Sequence, residues 1–240
     1  MTTLESRQVD VRQWSGLIRT GSWAAVASVV LIVVQIAVYL VWPPPDTAAE
    51  LFAVLLDNPL RGLLALDLLY IVSNVLAYLL YLALGVLLWR VSRSAVVLAL
   101  AFGVLGMAAY MASPRPVEML TLAQAYAGAG DAERVALLAT GEGMLATWMG
   151  TAFDIYYLCN LVTLLVLAVL MYRSTVFSRA TAVWGLVAAA LMVVPSNAGT
   201  VGLVLALASL GPWAVFAVLV ARRLRSLTAE RGGQPSTGTG

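Results

Sequence analysis

Six stretches of the chain carry almost uninterrupted apolar side chains, and these stretches constrain the fold more than any other feature. A helix needs about 20 apolar residues to cross a bilayer, and each stretch reaches this length or falls a few residues short of it. Their approximate bounds are 20–42, 60–89, 94–112, 146–172, 180–195 and 200–221. The fifth is short and closed by Pro195, so a count of five also remains open. The sequence therefore predicts an all-α, polytopic transmembrane helical bundle with about six spans.

The composition excludes a soluble domain and several kinds of catalytic chemistry. Of the 240 residues, 62% are hydrophobic and 11% are charged, a balance typical of membrane proteins. Every basic residue is arginine, which excludes Schiff-base lysine chemistry, histidine general bases and histidine-ligated zinc or haem. Cys159 is the one cysteine, and we expect it to pack as a small apolar group. We therefore predict no cofactor and assign no metal ligands.

The arginines indicate how the bundle is oriented, because cytoplasmic loops are rich in basic residues. Eleven of the fourteen arginines precede the first span, lie in the second and fourth turns, or follow the last span. The other side carries Arg61, Arg115 and Arg134 and most of the acidic residues. We predict a multi-pass protein of a bacterial cytoplasmic membrane, with a cytoplasmic N-terminal segment, 1–19, and a cytoplasmic, disordered tail, 223–240.

The first span could instead be a cleaved signal peptide. Its apolar core is long, however, and it ends in VWPPP with no cleavage pattern of small residues. The sequence favours a retained helix, so the membrane domain is predicted to cover residues 20–222.

Two outer connections, and the spans that follow them, share an order of features that predicts an internal repeat. The connections begin at Asp46 and Pro116, and they mix apolar and acidic residues at helical spacing. We expect them to form short amphipathic helices on the outer face, although they could simply cover loop backbone. The matched residues are Asp67 and Asp154, Tyr70 and Tyr157, and Asn74 and Asn160. The copies, about 46–112 and 131–195, would be parallel; chance similarity of leucine-rich helices is the alternative.

Polar residues form a stripe along one face of the second span and of the fourth. At 100° per residue, the first stripe contains Asp67, Tyr70 and Asn74, and the second contains Thr151, Asp154 and Tyr157. Asn160 falls outside the second stripe. Because an ionised carboxylate facing lipid costs several kcal/mol, both aspartates are expected to face the bundle interior, a water-filled cleft or a cation. These six residues are the candidate ligand-binding residues, and no catalytic residue is assigned.

Three hypotheses account for the two aspartates. They could hold helices together by bonding a tyrosine, asparagine, threonine or outer arginine. They could line an outward-opening cleft between the repeats, which binds a small or lipid-like molecule or uses one aspartate as acid and the other as base. They could be proton or cation sites of a small carrier, although no helix break is evident in either span. The expected partners are the bilayer and such a ligand, with no nucleic acid, and the oligomeric state stays open.

Several short motifs also resemble one bacterial family of polytopic membrane proteins, a domain of unknown function. They are the entry Asn58-Pro59-Leu60-Arg61 to the second span, Asp67 in the helix after it, and the Ser178-Arg179 turn. The resemblance covers roughly 19–223. It implies a membrane location and a similar number of helices, and it carries no activity, cofactor or catalytic residue.

Overall fold

The computed structural model describes residues 12–232 and folds them into ten α-helices. Six form the membrane bundle: α1 (Ser15–Val41), α4 (Leu68–Leu88), α5 (Arg93–Met111), α8 (Thr151–Arg173), α9 (Arg179–Leu191) and α10 (Gly199–Gly232). Four shorter helices lie between them: α2 (Ala48–Asp57), α3 (Pro59–Ala65), α6 (Pro116–Gly128) and α7 (Asp131–Trp148). No strand occurs within 12–232. The predicted all-α helical bundle is confirmed.

The six bundle helices are arranged in a closed ring. Each packs against the next in the order α1, α4, α5, α8, α9 and α10, and α10 returns to α1. Inside the ring α4 also touches α8. The interior is filled by fully buried apolar side chains, including Leu84, Leu167 and Phe216. Burial of these side chains gives the ring a continuous core, while many large apolar side chains such as Val33, Leu98 and Leu158 remain exposed on its outside, as a bilayer environment requires.

The two ends of the ring differ. At the end that holds the start of α1 and the end of α10, the Ser22 hydroxyl donates to the Ala221 carbonyl at 2.9 Å. We call this the terminal end. The opposite end, which we call the cap end, is covered by α2, α3, α6 and α7, packed around Leu51, Phe52 and Met119. The predicted short helices in the two long connections are therefore present; the side of the membrane on which they lie stays a prediction.

Five of the bundle helices are long and apolar enough to cross a membrane, and α9 is the exception. It has 13 residues, about 20 Å, against a hydrocarbon core of about 30 Å. The helix stops at Leu191, and the chain reaches Gly199 through a non-helical segment containing Pro195. The fifth predicted span, 180–195, is thus a short helix followed by an irregular connection.

Three predicted boundaries need correction. The span 60–89 is broken between Ala65 and Leu68, and the span 146–172 is broken at Met149–Gly150. Residues 223–232 belong to α10 and are helical, although the tail 223–240 was predicted to be disordered. Arginine, leucine, alanine and glutamate are strong helix formers, so α10 continues to a total of 34 residues. Residues 1–11 and 233–240 lie outside the described part of the chain.

Candidate ligand-binding site under the cap

Asp67 lies at the break between α3 and α4. Its backbone is left-handed, with φ 61° and ψ 23°, a conformation that few residues other than glycine adopt and that aspartate tolerates better than most. Its carbonyl accepts from the Ile71 amide at 2.9 Å, so α4 starts immediately after the break. The side chain is buried, with 8% of the residue exposed. The chain therefore places a carboxylate inside the bundle at an interrupted helix.

The partners of the Asp67 carboxylate are neutral. The Tyr39 hydroxyl of α1 donates to Oδ1, and the Trp148 Nε1 group at the end of α7 donates to Oδ2 at 3.0 Å. The Tyr110 hydroxyl of α5 lies beside the same carboxylate. Side chains from three helices, α1, α5 and α7, thus meet the carboxylate at the start of α4, and none of them carries a formal charge.

The outer arginines are engaged elsewhere. The Arg61 guanidinium lies 5.7 Å from the ring centre of Trp42, and that of Arg134 lies 5.3 Å from the ring of Tyr126. The Arg115 Nε group donates to the carbonyl of Ala112 at 3.3 Å. Within residues 12–232 no arginine forms an ion pair with Asp67. The hypothesis that an outer arginine neutralises this carboxylate is therefore wrong for Asp67.

Deeper in the ring, α4 and α8 exchange two hydrogen bonds between asparagine and tyrosine. The Tyr156 hydroxyl donates to Asn74 Oδ1 at 2.8 Å, and the Tyr81 hydroxyl donates to Asn160 Oδ1 at 2.9 Å. All four side chains are buried. Asn160, which the helical-wheel argument placed outside the stripe, faces the ring interior.

An aromatic cluster fills the space between these bonds and Asp67. Its buried members are Met107, Tyr110, Phe153 and Tyr156, and Tyr70 and Tyr157 pack against it. The ring centres of Tyr110 and Tyr156 are 4.7 Å apart. Asp67, Tyr70, Asn74 and Tyr157 therefore lie in or against one region, and their role as ligand-binding residues stays a prediction.

Two buried polar atoms in this region, Gln35 Oε1 on α1 and Asn74 Nδ2 on α4, have no hydrogen-bond partner among the described residues. The buried Tyr110 hydroxyl on α5 differs from them, because it lies beside the Asp67 carboxylate and can turn its proton toward it. The other end of the Gln35 amide is held, because its Nε2 donates to the carbonyl of Leu64 at 3.1 Å. A buried polar group left unpaired costs about 1–3 kcal/mol. Such groups commonly bind water or a ligand.

Asp154 and Thr151 lie in a different environment. Both are exposed in the first turn of α8. Asp154 Oδ1 accepts from Asn197 Nδ2 at 2.9 Å, and the same amide group donates to the Met149 carbonyl at 2.7 Å. The two aspartates have no hydrogen-bond partner in common. The contacts therefore centre the site on Asp67 alone, with Asp154 fixing the connection before α10.

Sequence reasoning did not select Tyr39, Tyr110, Trp148 or Tyr156. Tyr39 and Trp148 lie near the ends of apolar segments, where aromatic residues ordinarily mark the membrane interface. Tyr156 is adjacent to Tyr157, and choosing between them requires the rotation of α8, which only its packing fixes. The spacing of Tyr156 and Asn160, four residues apart on one helical face, was the available signal.

Comparison with protein families gives one match. The model of a family described as a domain of unknown function, DUF4386, matches residues 19–223. The chain belongs to this family. The match runs from α1 into α10, so the DUF4386 domain includes the ring, the cap and Asp67. The resemblance drawn from the Asn58–Arg61 entry and the Ser178-Arg179 turn is confirmed.

No curated protein and no solved structure matches this DUF4386 chain. Within residues 12–232, no group of three or more His, Cys, Asp or Glu side chains is placed to hold a metal ion. Asp67 and its hydrogen-bond partners form the candidate site.

Proposed function

We propose that this protein is an integral membrane protein that binds the polar or cationic group of a small or lipid-like molecule at Asp67, beneath the cap. The observation that carries the proposal is a buried carboxylate with only neutral partners. Buried polar atoms without a hydrogen-bond partner among the described residues lie on two of the surrounding helices, Gln35 Oε1 on α1 and, about 10 Å deeper, Asn74 Nδ2 on α4. A bundle that served only to hold helices together would gain stability from pairing these atoms or replacing them with apolar groups.

The chemistry of the site favours a ligand with a positively charged nitrogen. An ammonium group would give the Asp67 carboxylate a positively charged partner, which its neighbours do not provide. The faces of the Tyr70 and Tyr110 rings also attract cations. A hydroxyl or N–H group on the same molecule would donate to Gln35 Oε1, whose helix α1 also carries Tyr39. A ligand of this kind would pair the Asp67 charge and this buried acceptor in one binding event.

Access would require the cap to move. The break at Leu66–Asp67 leaves α3 and α4 as separate rigid pieces, and hinges are commonly a few residues at element ends. Tyr39 is partly exposed, so the carboxylate lies one side chain from the surface. We propose that rotation at Leu66–Asp67 lifts α3 with the cap and opens the site.

Thermal unfolding of the full chain in detergent tests the proposal, with n-butylamine, n-hexylamine and n-octylamine as probes and the matching alcohols as controls. We expect the amines to raise the melting temperature of the wild type and of Asp154→Asn, and to leave that of Asp67→Asn unchanged. Asparagine keeps the size of the side chain and tolerates the left-handed backbone, so this variant isolates the charge. An equal response of both variants to the amines would contradict the proposal, as would a response to the alcohols alone.

A second candidate function, a proton- or cation-coupled carrier, is favoured by the helix breaks. Transporters use interrupted helices at their binding sites, and both segments that bear the predicted aspartates are interrupted, at Leu66–Asp67 and at Met149–Gly150. The continuous spans expected from the sequence had counted against this function. Uptake of radiolabelled hexylamine into liposomes with an imposed pH gradient tests it. A carrier requires gradient-dependent uptake that Asp67→Asn abolishes, whereas a binding protein gives stabilisation without uptake.

We also propose a bacterial cytoplasmic membrane with both termini in the cytoplasm. The support is the set of arginines at the terminal end, which includes Arg93, Arg173, Arg179 and Arg222. Alkaline phosphatase fused after residue 232 is expected to be inactive, and the same reporter inserted at Gly130, between α6 and α7, is expected to be active. The reverse pattern would contradict the orientation.

A further inference from the structure

A groove runs along the outside of the ring between α1 and α4, well away from Asp67. Its volume is about 320 Å³, and its walls include Thr20, Trp23 and Ala27 of α1 and Leu76 and Leu79 of α4. Between the same two helices, Gly21 is packed directly against the Cβ of Ala83, which brings the two backbones together beside the groove. The groove therefore belongs to a tightly packed α1–α4 contact.

The terminal end of the groove is basic. Arg19 lies at its mouth, and the Arg225 guanidinium lies 4.6 Å from the ring centre of Trp23. Among residues 12–232, Arg19 has no ion pair and no side-chain hydrogen bond. Over the next two turns of α1 the lining becomes apolar, and Ala27 lies about 12 Å further along the helix axis. A positive mouth followed by an apolar channel matches a molecule with an anionic head and a hydrocarbon chain.

The surroundings of the mouth have the same sign of charge. Among the described residues, the terminal end carries Arg12, Arg19, Arg90, Arg93, Arg173, Arg179, Arg222, Arg223 and Arg225, against Glu230 as its acidic side chain. Trp23 is 63% exposed, which is typical of a tryptophan at the level of lipid headgroups. The groove therefore begins at the membrane surface and descends toward the bilayer centre.

We propose that this groove is a binding site for one anionic phospholipid. The phosphate pairs with Arg19, with the hydroxyl of Thr20 as a further donor, and the Arg225 charge over Trp23 adds attraction. One acyl chain lies over Ala27, between Trp23 and the leucines of α4. This site is independent of Asp67, because it faces the lipid on the outside of the ring.

The fluorescence of Trp23 tests the site directly, because its ring forms part of the wall. The full chain is reconstituted in phosphatidylcholine vesicles that contain an increasing fraction of one brominated lipid. This lipid is either phosphatidylglycerol or phosphatidylcholine, and each carries bromine on one acyl chain. Subtracting the signal of Trp23→Phe, measured in the same vesicles, isolates the contribution of Trp23. We expect brominated phosphatidylglycerol to reach half-maximal quenching at a lower mole fraction than brominated phosphatidylcholine.

Four variants separate a site from general attraction to the basic surface. Arg19→Gln should raise the half-quenching fraction for phosphatidylglycerol about fivefold, the equivalent of ~1 kcal/mol for an arginine near anionic lipid. Arg19→Lys should keep most of the preference, and Arg93→Gln, at the same end but outside the groove, should leave it unchanged. Ala27→Leu, which fills the channel, should reduce quenching by both lipids. Equal quenching by the two lipids in the wild type, or equal effects of Arg19→Gln and Arg93→Gln, would overturn the proposal.

Discussion

Asp67 and Asp154 each lie near the start of a ring helix, yet their environments are opposite. Asp67 is buried where α1, α4, α5 and α7 meet, and it accepts hydrogen bonds from Tyr39 and Trp148. Asp154 is exposed and is held by Asn197 in the connection before α10. The same Asp-x-x-Tyr pattern therefore gives a buried site in one helix and a surface contact in the other, because neighbouring helices decide the environment.

Removing each carboxylate in turn is the strongest test of this difference in environment. Asp67→Ala leaves Trp148 Nε1 and the Tyr39 hydroxyl without an acceptor, and we expect it to lower the free energy of unfolding by about 3 kcal/mol. Asp154→Ala, at an exposed position, should change it by less than about 0.5 kcal/mol. Far-UV circular dichroism during unfolding in mixed micelles of dodecyl maltoside and SDS measures both. Equal losses would mean that the burial of Asp67 has no energetic consequence.

The two adjacent tyrosines of α8 give the next largest contrast. Tyr156→Phe leaves Asn74 Oδ1 unpaired in addition to its Nδ2, and a loss of about 1.5 kcal/mol in unfolding free energy is expected. Tyr157 is only partly buried, so Tyr157→Phe should lose less, no more than about 0.5 kcal/mol. The same unfolding assay compares them. A larger loss in Tyr157→Phe would show that α8 is rotated relative to this structure.

Backbone strain at Asp67 can be separated from the loss of its carboxylate. Glycine adopts the left-handed conformation without penalty, whereas alanine pays about 1 kcal/mol there. Asp67→Gly should therefore be about 1 kcal/mol more stable than Asp67→Ala, although both lack the acceptor. At Asp154, in the regular first turn of α8, the order should reverse because glycine weakens helices. The same order at both positions would argue against the break at Leu66–Asp67.

The smallest expected effect concerns the indole of Trp148. Trp148→Phe removes the donor to Asp67 Oδ2 but keeps an aromatic ring, so a loss of about 0.6 kcal/mol is expected for the missing bond. Trp184→Phe, at a position 39% exposed, controls for the smaller ring. The difference between the two variants should vanish in an Asp67→Ala background, which has no acceptor at this position, if Trp148 acts through the carboxylate. Persistence of the full difference would assign Trp148 a packing role only.

The approximate positions of the six ring helices could be predicted from hydrophobicity, because a bilayer demands long apolar helices. The helix breaks could not. Leu66-Asp67 contains neither glycine nor proline, and a single aspartate in a left-handed conformation leaves no local signal. At Met149–Gly150 a glycine is present, but glycine is frequent within membrane helices and does not by itself end one.

The candidate site was predicted in part for a related reason. The stripe Asp67, Tyr70 and Asn74 follows from helical geometry on a single element, and the structure brings these residues to one region. Tyr39, Tyr110 and Trp148 come from three other elements. Their approach to Asp67 depends on the order of helices around the ring, which periodicity in one helix does not encode. The internal repeat stays a prediction. The two asparagine–tyrosine hydrogen bonds between α4 and α8, in which each helix supplies one asparagine and one tyrosine, are consistent with it.

The length of α10 has a practical consequence for determining the structure of this protein with a ligand bound. Its 34 residues extend about 51 Å, some 20 Å more than a bilayer's hydrocarbon core. A helical reporter domain joined in phase near Glu230 would continue α10 without a flexible joint. For a chain of 25.4 kDa, such a rigid extension would supply the mass and asymmetry that electron cryomicroscopy needs to align images. The fusion would lie at the terminal end, where it leaves the cap and Asp67 free to respond to added amines.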